Sequence, residues 1–431
     1  PLPLYLIFGT GQQTALLVNS FFVVISSLYL FLLVRRLFSP AAGLAAVVFY
    51  QTMPLAYGLS RAFLADYGLT ALVIVWLYYL VASEQLSHSL IDLVLGMLLG
   101  LGLLMKVLFP AYIAGPLLLT WWWRRQSGPL DGPRRPLVAI AVPGLAIAAT
   151  WYAFHWRTIF RYAWQGAYGE IGAQYGFGGL KHWLTLVVDR GLSFYYAAAL
   201  VVLGFAALVL ARRRPAGDRK PVLLLLAWLV PPLLATAAGQ NREIRLFIPL
   251  LPVFAIFLAL AVCRLATRGW IQAVLIAVLA VFPLRLYAEL SFFSLGSGHA
   301  GHDHDHPVKA GPFVLFGRDL GWARPPDAQG AWEQRRLLEA LRSLGAASAS
   351  PRYVVVGLEH PYLNANLLSY LNAYTRYPLL FTSLGYAEPS VERALERVYR
   401  LDARYLVLAE GFHTAELVGC LNQVNRGGQE R

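Results

Sequence analysis

Met97–Trp123, MLLGLGLLMKVLFPAYIAGPLLLTWWW, decides how this chain is read: two apolar half-runs meet at a single charge, Lys106. No further formal charge follows until Arg124. A lysine at a bilayer centre is unfavourable by roughly 2.5–3.5 kcal/mol, so it either escapes to water at a tight turn or serves a site. Both readings put an apolar segment on each side of Lys106 and the protein in a membrane.

The rest of the chain has the same character. It is 58% hydrophobic and only 14% charged, with a mean hydropathy of +0.55, which excludes an ordinary soluble domain. A formal net charge of +13 would suggest nucleic acid in a soluble protein. Here most of the basic residues cluster at the ends of apolar runs, which fits membrane orientation, and no nucleic-acid partner is expected. Cys263 and Cys420 give neither a disulfide framework nor a metal signature. The chain opens at Pro1 straight into apolar sequence and is read as lacking an upstream portion.

Runs that approach the length of a bilayer crossing fall at 14–34, 40–58, 65–82, 90–105, 107–123, 137–155, 191–211, 221–238, 246–263 and 270–288. They predict a polytopic α-helical membrane protein of about ten spans, several of them short or interrupted by proline and so buried among neighbours. Arg35-Arg36, Arg124-Arg125 with Arg134-Arg135, Arg212–Arg214 with Arg219-Lys220, and Arg264 with Arg268 recur at every second junction. By the positive-inside tendency these ends are cytoplasmic; only the junction at 83–89 departs from the pattern. The opposite side then carries the Arg61/Asp66 turn, Lys106, the aromatic, glycine-rich segment 156–190, the turn Gly239–Arg245 and everything after 289. Trp156, Trp164 and Trp183 mark 156–190 as interfacial helices and loops at headgroup level.

From 289 onward the periodicity is that of a soluble domain. Residues 289–312 read as a His-rich linker between a transmembrane domain, 1–288, and an extracytoplasmic α/β domain, 313–431. In the latter, Trp332–Leu344, Leu363–Ala373 and Ser390–Leu401 read as helices, with Ser390 a candidate N-cap. Tyr353–Leu358, Leu379–Thr382 and Tyr405–Ala409 read as strands, and the alternation implies a small parallel sheet. No internal repeat is evident.

Three polar clusters share the outer face. Asp66 opens a span, where a helix N-terminus favours a carboxylate, and Arg61 is its nearest candidate partner. Lys106 is the second. In the third, GQNREIRLFIPLLP, Arg242 and Arg245 fall i, i+3 and share a face if the turn is helical; two guanidinium forks there suit phosphate. His299, His302, His304 and His306 with Asp303 and Asp305 admit a divalent metal, but the spacing matches no closed zinc site and a solvated linker is the favoured reading. No cofactor is assigned. His360 and Asn364, with Asn366, follow the strand Tyr353–Leu358. Such a loop could touch acceptor or cap the membrane cavity; a His-Pro turn with a helix-capping Asn is the favoured reading.

On these residues the chain resembles the integral-membrane, GT-C-type glycosyltransferases that use polyprenyl-phosphate sugars, in pattern nearest to the lipid A aminoarabinose transferases and the protein O-mannosyltransferases. The matching stretches are PLPLYLIFGTGQQTALLVNS (1–20), RRLFSPAAGLAAVVFYQTMPLAYGLSRAFLADYGLTALV (35–73), LGMLLGLGLLMKVLFPAY (95–112) and NREIRLFIPLLP (241–252). The resemblance implies that Lys106 lies near the donor phosphate. Arg242 and Arg245, with Arg61 added to the cationic set, bind the lipid phosphate, and Asp66 shapes the active site. It also implies an acidic general base in a first outer loop, which would fall upstream of residue 1. The activity implied is inverting sugar transfer from a polyprenyl-phosphate donor to a lipid, glycan or protein acceptor, in a bacterial inner membrane with the site facing outward.

The residue types suit that chemistry on their own. A departing lipid phosphate needs cations where its charge grows, and an acceptor hydroxyl needs a carboxylate to take its proton. Two other readings stay open: a lipid-binding or flipping protein, and a non-catalytic protein of cell-envelope assembly. The first would call for repeated halves with broken helices at the midplane, which the sequence does not show.

Overall fold

A computed structural model of the chain describes residues 2–9, 12–62, 64–127, 135–169, 172–173, 179–211, 219–291, 308–310, 313–316, 334–345, 351–359, 363–385, 388, 390–408 and 424–425. The chain divides into two compact units, one of Pro1–Ala163 with Gly178–Pro326 and one of Trp164–Phe177 with Asp327–Arg431.

The first unit is helical. It begins with α1 (Leu2–Phe8), α2 (Gln12–Leu37), α3 (Pro40–Gln51), α4 (Pro54–Ser60), α5 (Ala65–Ala82), α6 (Ser89–Met105), α7 (Phe109–Gln126) and α8 (Pro136–Tyr168). Helices Gly179–Leu186, Phe194–Ala211, Lys220–Ala238, Leu251–Leu265 and Gly269–Ser291 follow, with a π-helical turn at Val187–Leu192 and a 3-10 segment at Ile244–Leu250. Local chemistry sets several of these ends. Ser39 caps α3 by accepting from the Ala42 N–H, with Pro40 in the first turn, where its missing N–H costs nothing. Pro54 likewise starts α4, and the two helices meet at a bend of 69°.

Burial separates central from peripheral helices. The apolar windows of α5 and of Ile244–Leu265 are 67% and 72% buried, against 17% for α8 and for Gly269–Ala288. An apolar helix that leaves Phe154 or Phe205 bare has a lipid-facing side. The basic ends gather at one pole: Arg36 pairs with Glu84 at 2.9 Å, and Arg124 donates to the Gln85 carbonyl at 3.2 Å and to that of Leu86. The turn that receives them, Glu84–Leu86, has three consecutive residues with positive φ. Leu86 is fully buried there, and its N–H bonds the Ser83 hydroxyl at 3.0 Å, which helps hold a conformation that L-residues rarely adopt.

The expected helical membrane fold with a small parallel-sheet unit is what the chain adopts. All ten apolar runs are helical. Among the described residues, six helices are fit by length and composition to cross a bilayer, or eight if each of two bent pairs is one crossing. The pairs are α3 with α4 and Gly179–Leu192 with Phe194–Ala207, bent by 95°. Not among the six are α6, which has only 17 residues, and α7, which carries Pro116 inside it and Arg124 and Arg125 at its end. The segment 156–190 departs from expectation. Its first part is the continuation of α8, a single helix of 33 residues. Trp156 and Trp164 are exposed as an interfacial reading requires, whereas Trp183 is 2% exposed and packs edge-on against Phe247 at 6.2 Å. A two-stranded antiparallel hairpin, β1 (Val308–Ala310) and β2 (Phe313–Phe316), belongs to this unit, with the Phe313 ring 5.7 Å from that of Phe194.

The second unit has a three-stranded parallel sheet in the order β4 (Leu379–Ser383), β3 (Arg352–Val356), β5 (Tyr405–Val407). Helices Gln334–Gly345, Ala365–Thr375 and Val391–Arg400 accompany it. Val354, Val355 and Val356 on the central strand are fully buried, as a strand covered on both faces must be. Ser390 caps Val391–Arg400 by accepting from the Arg393 N–H.

Close helix contact in the first unit rests on glycine. A Cβ on Gly115 of α7 would meet the Ala227 carbonyl oxygen of Lys220–Ala238 at 2.0 Å, and backbone there has nowhere to go. Gly115→Ala is therefore expected to destabilise the chain by about 1–3 kcal/mol, the usual range for overpacking. A lowered melting temperature of the detergent-solubilised protein checks this; an unchanged one contradicts the close approach.

Candidate functional site

Asp66 lies in the first turn of α5, whose N-cap, Leu64, offers no side-chain cap. The exposed N–H groups at such a helix start favour a carboxylate. Asp66 is nevertheless 4% exposed, and a buried charge needs a partner. Lys106 provides it: its Nζ donates to Asp66 Oδ1. The lysine reaches that position because α6 ends on it. Its backbone N–H bonds the Gly102 carbonyl at 2.9 Å, and its own carbonyl accepts from the Phe109 N–H at 3.0 Å, closing a tight turn into α7. Gly102 permits the turn, since a Cβ there would meet the buried Phe109 ring at 2.3 Å. Both sequence readings of Lys106 therefore hold together: it sits at a turn, and its ammonium group faces inward to a buried acid. The Lys106 side chain remains 25% exposed, against 5% for Asp66. An ammonium group has three donors, so donors remain for a further ligand.

A second acid stands beside this pair. Glu243 precedes the 3-10 segment, with its N–H bonded to Asn241 Oδ1 at 3.1 Å. Its Oε2 accepts from Arg245 Nε at 2.5 Å. Burial holds the Glu243 carboxyl above the ordinary carboxylate range; Arg245 opposes the shift, and the charges of Asp66 and Lys106 also reach it. The 3-10 segment packs on α5, and the Tyr112 hydroxyl of α7 donates to the Leu246 carbonyl at 2.8 Å. These contacts bring the turn Gly239–Arg245 to the Asp66–Lys106 pair.

Arg242 and Arg245 do not share a helix face. Residues 241–243 lie outside any helix and only Ile244–Leu250 is helical, so the i, i+3 argument does not apply. The two guanidinium groups have different surroundings. Arg245 is bound to Glu243, whereas Arg242 Nη2 makes a long bond of 3.5 Å to the Ala237 carbonyl. Arg242 Nε is buried with no hydrogen-bond partner among the described residues. An orphaned buried donor is costly unless a ligand completes it. Counted together, Lys106, Arg242 and Arg245 against Asp66 and Glu243 leave one net positive charge.

Arg61 lies elsewhere from where its sequence position suggests. Asp66 is paired with Lys106 and not with Arg61. The Arg61 guanidinium sits 5.3 Å from the Tyr57 ring and 5.0 Å from the Tyr287 ring, and donates to Ser291 Oγ. It ties the end of α4 to the C-terminal end of Gly269–Ser291, an arrangement worth more where water is excluded.

In the second unit Asn364 Oδ1 accepts from the Leu367 N–H at 2.8 Å and so caps Ala365–Thr375. His360 and the histidine run 299–306 lie outside the described residues. Among the described residues no group of three His, Cys, Asp or Glu is arranged to hold a metal ion. Glu359, which the sequence reading passed over, is largely buried just beyond β3; burial lifts its carboxyl above the ordinary range, against a hydrogen bond from Ser383.

The Asp66–Lys106 pair has a testable energetic signature. Removing one partner of a buried pair costs about 3–5 kcal/mol, and the partial exposure of Lys106 puts this one near the lower end. Asp66→Asn and Lys106→Met are each expected to lower the melting temperature more than the double substitution does. A double variant that loses the sum of both would mean that the two side chains act independently.

Residues 4–153 match the family model described as dolichyl-phosphate-mannose-protein mannosyltransferase. No curated protein matches the chain in sequence. Among solved structures, the fold is similar to that of ArnT from Cupriavidus metallidurans bound to undecaprenyl phosphate. The TM-score is 0.59 at 14% identity, over 94% of this chain and 77% of that one. For ArnT from the same organism in the apo state the TM-score is 0.56 at 16% identity, over 93% and 77%. The family resemblance read from the sequence is thus met twice, by a family model over the first part of the chain and by an ArnT-like fold over nearly all of it.

Proposed function

We propose that this GT-C-type membrane protein transfers a sugar from a polyprenyl-phosphate carrier to a hydroxyl acceptor on the outer side of the membrane, with inversion at the anomeric carbon. The reading is carried by the buried cluster of Asp66, Lys106, Glu243 and Arg245, with Arg242 next to Glu243 in the chain and its Nε unfilled among the described residues; the five residues together carry a net charge of +1. A phosphodiester donor carries a single negative charge, which this balance neutralises. The matched family description and the fold relatives point to the same class of donor.

In this reading Arg242 meets the phosphate first, because its Nε has no protein partner to give up. Lys106, oriented by Asp66, directs its remaining donors at the oxygen that gains charge as the glycosidic bond breaks. Such donors act most strongly in a water-poor site. The bond that forms joins the acceptor oxygen to the anomeric carbon, and the hydroxyl proton passes to a carboxylate. Asp66 and Glu243 both hold ion pairs, so neither is a free base as it stands. That same observation favours a second reading, a protein that binds the lipid phosphate without transferring sugar. Sugar, acceptor and a bacterial inner-membrane location belong to the proposal through the resemblance alone.

The test is binding and turnover by the purified full chain in nanodiscs. Arg242→Ala is expected to weaken polyprenyl-phosphate binding at least about tenfold, the loss of one charge-assisted contact. Lys106→Ala is expected to reduce transfer about 10²–10³-fold, as removal of a donor to a developing oxyanion does. Binding without any transfer selects the second reading, and lipid-phosphate affinity indifferent to both substitutions overturns both.

A further inference from the structure

Lys106 and Arg242 each have donors left for a ligand, but Arg245 gives its Nε to a carboxylate of its own chain. Glu243 is in a costly place for such a clamp. It is 15% exposed in its side chain, lies in a turn between two apolar helices, and shares its surroundings with a second acid, Asp66. If Arg245 served only to fasten the turn, an amide or a backbone carbonyl would hold it without burying a further negative charge.

We infer that Glu243 is an internal stand-in for phosphate, occupying Arg245 while the site is empty or holds the singly charged donor and releasing it to the doubly charged product. The inference rests on the phosphate-site reading above. Transfer breaks the bond between the anomeric carbon and the phosphate oxygen, and the electron pair stays on that oxygen. A phosphodiester of charge −1 thereby becomes a phosphomonoester that carries about −1.5 to −2 at neutral pH. A site of net +1 is then short by one charge. When Glu243 takes up a proton from solvent and lets go of Arg245, the same residues present +2. The arginine fork, which suits phosphate bidentately, turns to the lipid.

The charged groups that bear on Glu243 are Arg245 on its own segment, Asp66 from α5 and Lys106 from the end of α6. The π-helical turn Val187–Leu192, with Asp189 and Arg190, packs on the same 3-10 segment. Burial already holds the Glu243 carboxyl above its ordinary range, so the proton is taken up at modest cost. A second negative charge beside it raises that affinity for protons further. Binding of the monoester therefore favours the protonated form and weakens as pH rises through the raised Glu243 pKa.

Polyprenyl phosphate binding to the full chain in nanodiscs, measured from pH 5 to pH 8, tests this. Glu243→Gln is expected to bind the monoester about tenfold more tightly than wild type at pH 8. The advantage should fade toward pH 5, and a methyl phosphodiester of the same lipid should show little of it. Adding Arg245→Ala should abolish the gain. If Glu243→Gln does not fold, calorimetry of wild type in buffers of different ionisation enthalpy gives the same answer. Net proton uptake near pH 8 is expected, because the free monoester is already almost fully ionised there and cations acting on it alone would take up no proton. Weaker or unchanged binding by Glu243→Gln at every pH, or no net proton uptake by wild type, would overturn the inference. Indifference of wild-type binding to Arg242→Ala would instead overturn the phosphate site itself.

Discussion

The Asp66–Lys106 ion pair is the constraint on which the rest of the site depends. An unpaired carboxylate at the start of a central helix, or an unpaired ammonium between two apolar runs, would be strongly unfavourable in a membrane protein. Pairing them fixes the start of α5 to the turn between α6 and α7. That turn exists because α6 stops at Lys106 and Gly102 leaves room for Phe109 to fold back. Once α5 and α7 are set, Tyr112 can anchor the Leu246 carbonyl, and the 3-10 segment delivers Glu243 and Arg245 to the same place. One electrostatic requirement thus assembles residues that are 40 and about 180 positions apart in the chain.

The charges at this pole are arranged differently from those at the other. Arg36, Glu84 and Arg124 bond to each other or to backbone at helix ends, a pattern that suffices to hold a polar cap at a membrane surface. At the Asp66 pole the acids are buried, each acid is matched to one cation, and Arg242 is left over with an unfilled donor. Burial alone does not separate the two poles, since Asp92, near Arg124, is fully buried with neither carboxylate oxygen hydrogen-bonded among the described residues; what separates them is the pairing of each buried acid with a cation at the Asp66 pole.

Much of this was legible in the sequence, for a physical reason: charge is so scarce in apolar runs that each instance stands out. Lys106, Asp66, Arg242 and Arg245 were found that way, and the helices followed the apolar runs. The parallel-sheet unit was legible from the alternation around Val354–Val356, and Asn364 and Ser390 cap the helices that follow them. What escaped were partnerships, because these are set by tertiary packing. Arg61 was offered as the nearest candidate partner of Asp66, five residues away, when its aromatic and hydroxyl partners include Tyr287 and Ser291, more than 220 positions on. Glu243 was overlooked although it is the only acid in Gly239–Arg245, and a lone carboxylate between two arginines was the available signal. Nor do apolar runs reveal a 69° bend at Pro54 or a 95° bend before Phe194. Trp183 was placed at the interface by composition, yet its ring is needed against Phe247.

The most direct test of the central claim is a density map of the full chain in nanodiscs with polyprenyl phosphate present. The account predicts phosphate density within hydrogen-bonding distance of Arg242 Nε and Lys106 Nζ, with the Asp66–Lys106 pair intact. A phosphate seated elsewhere, or an Arg242 Nε still without a partner at saturating lipid, would contradict it.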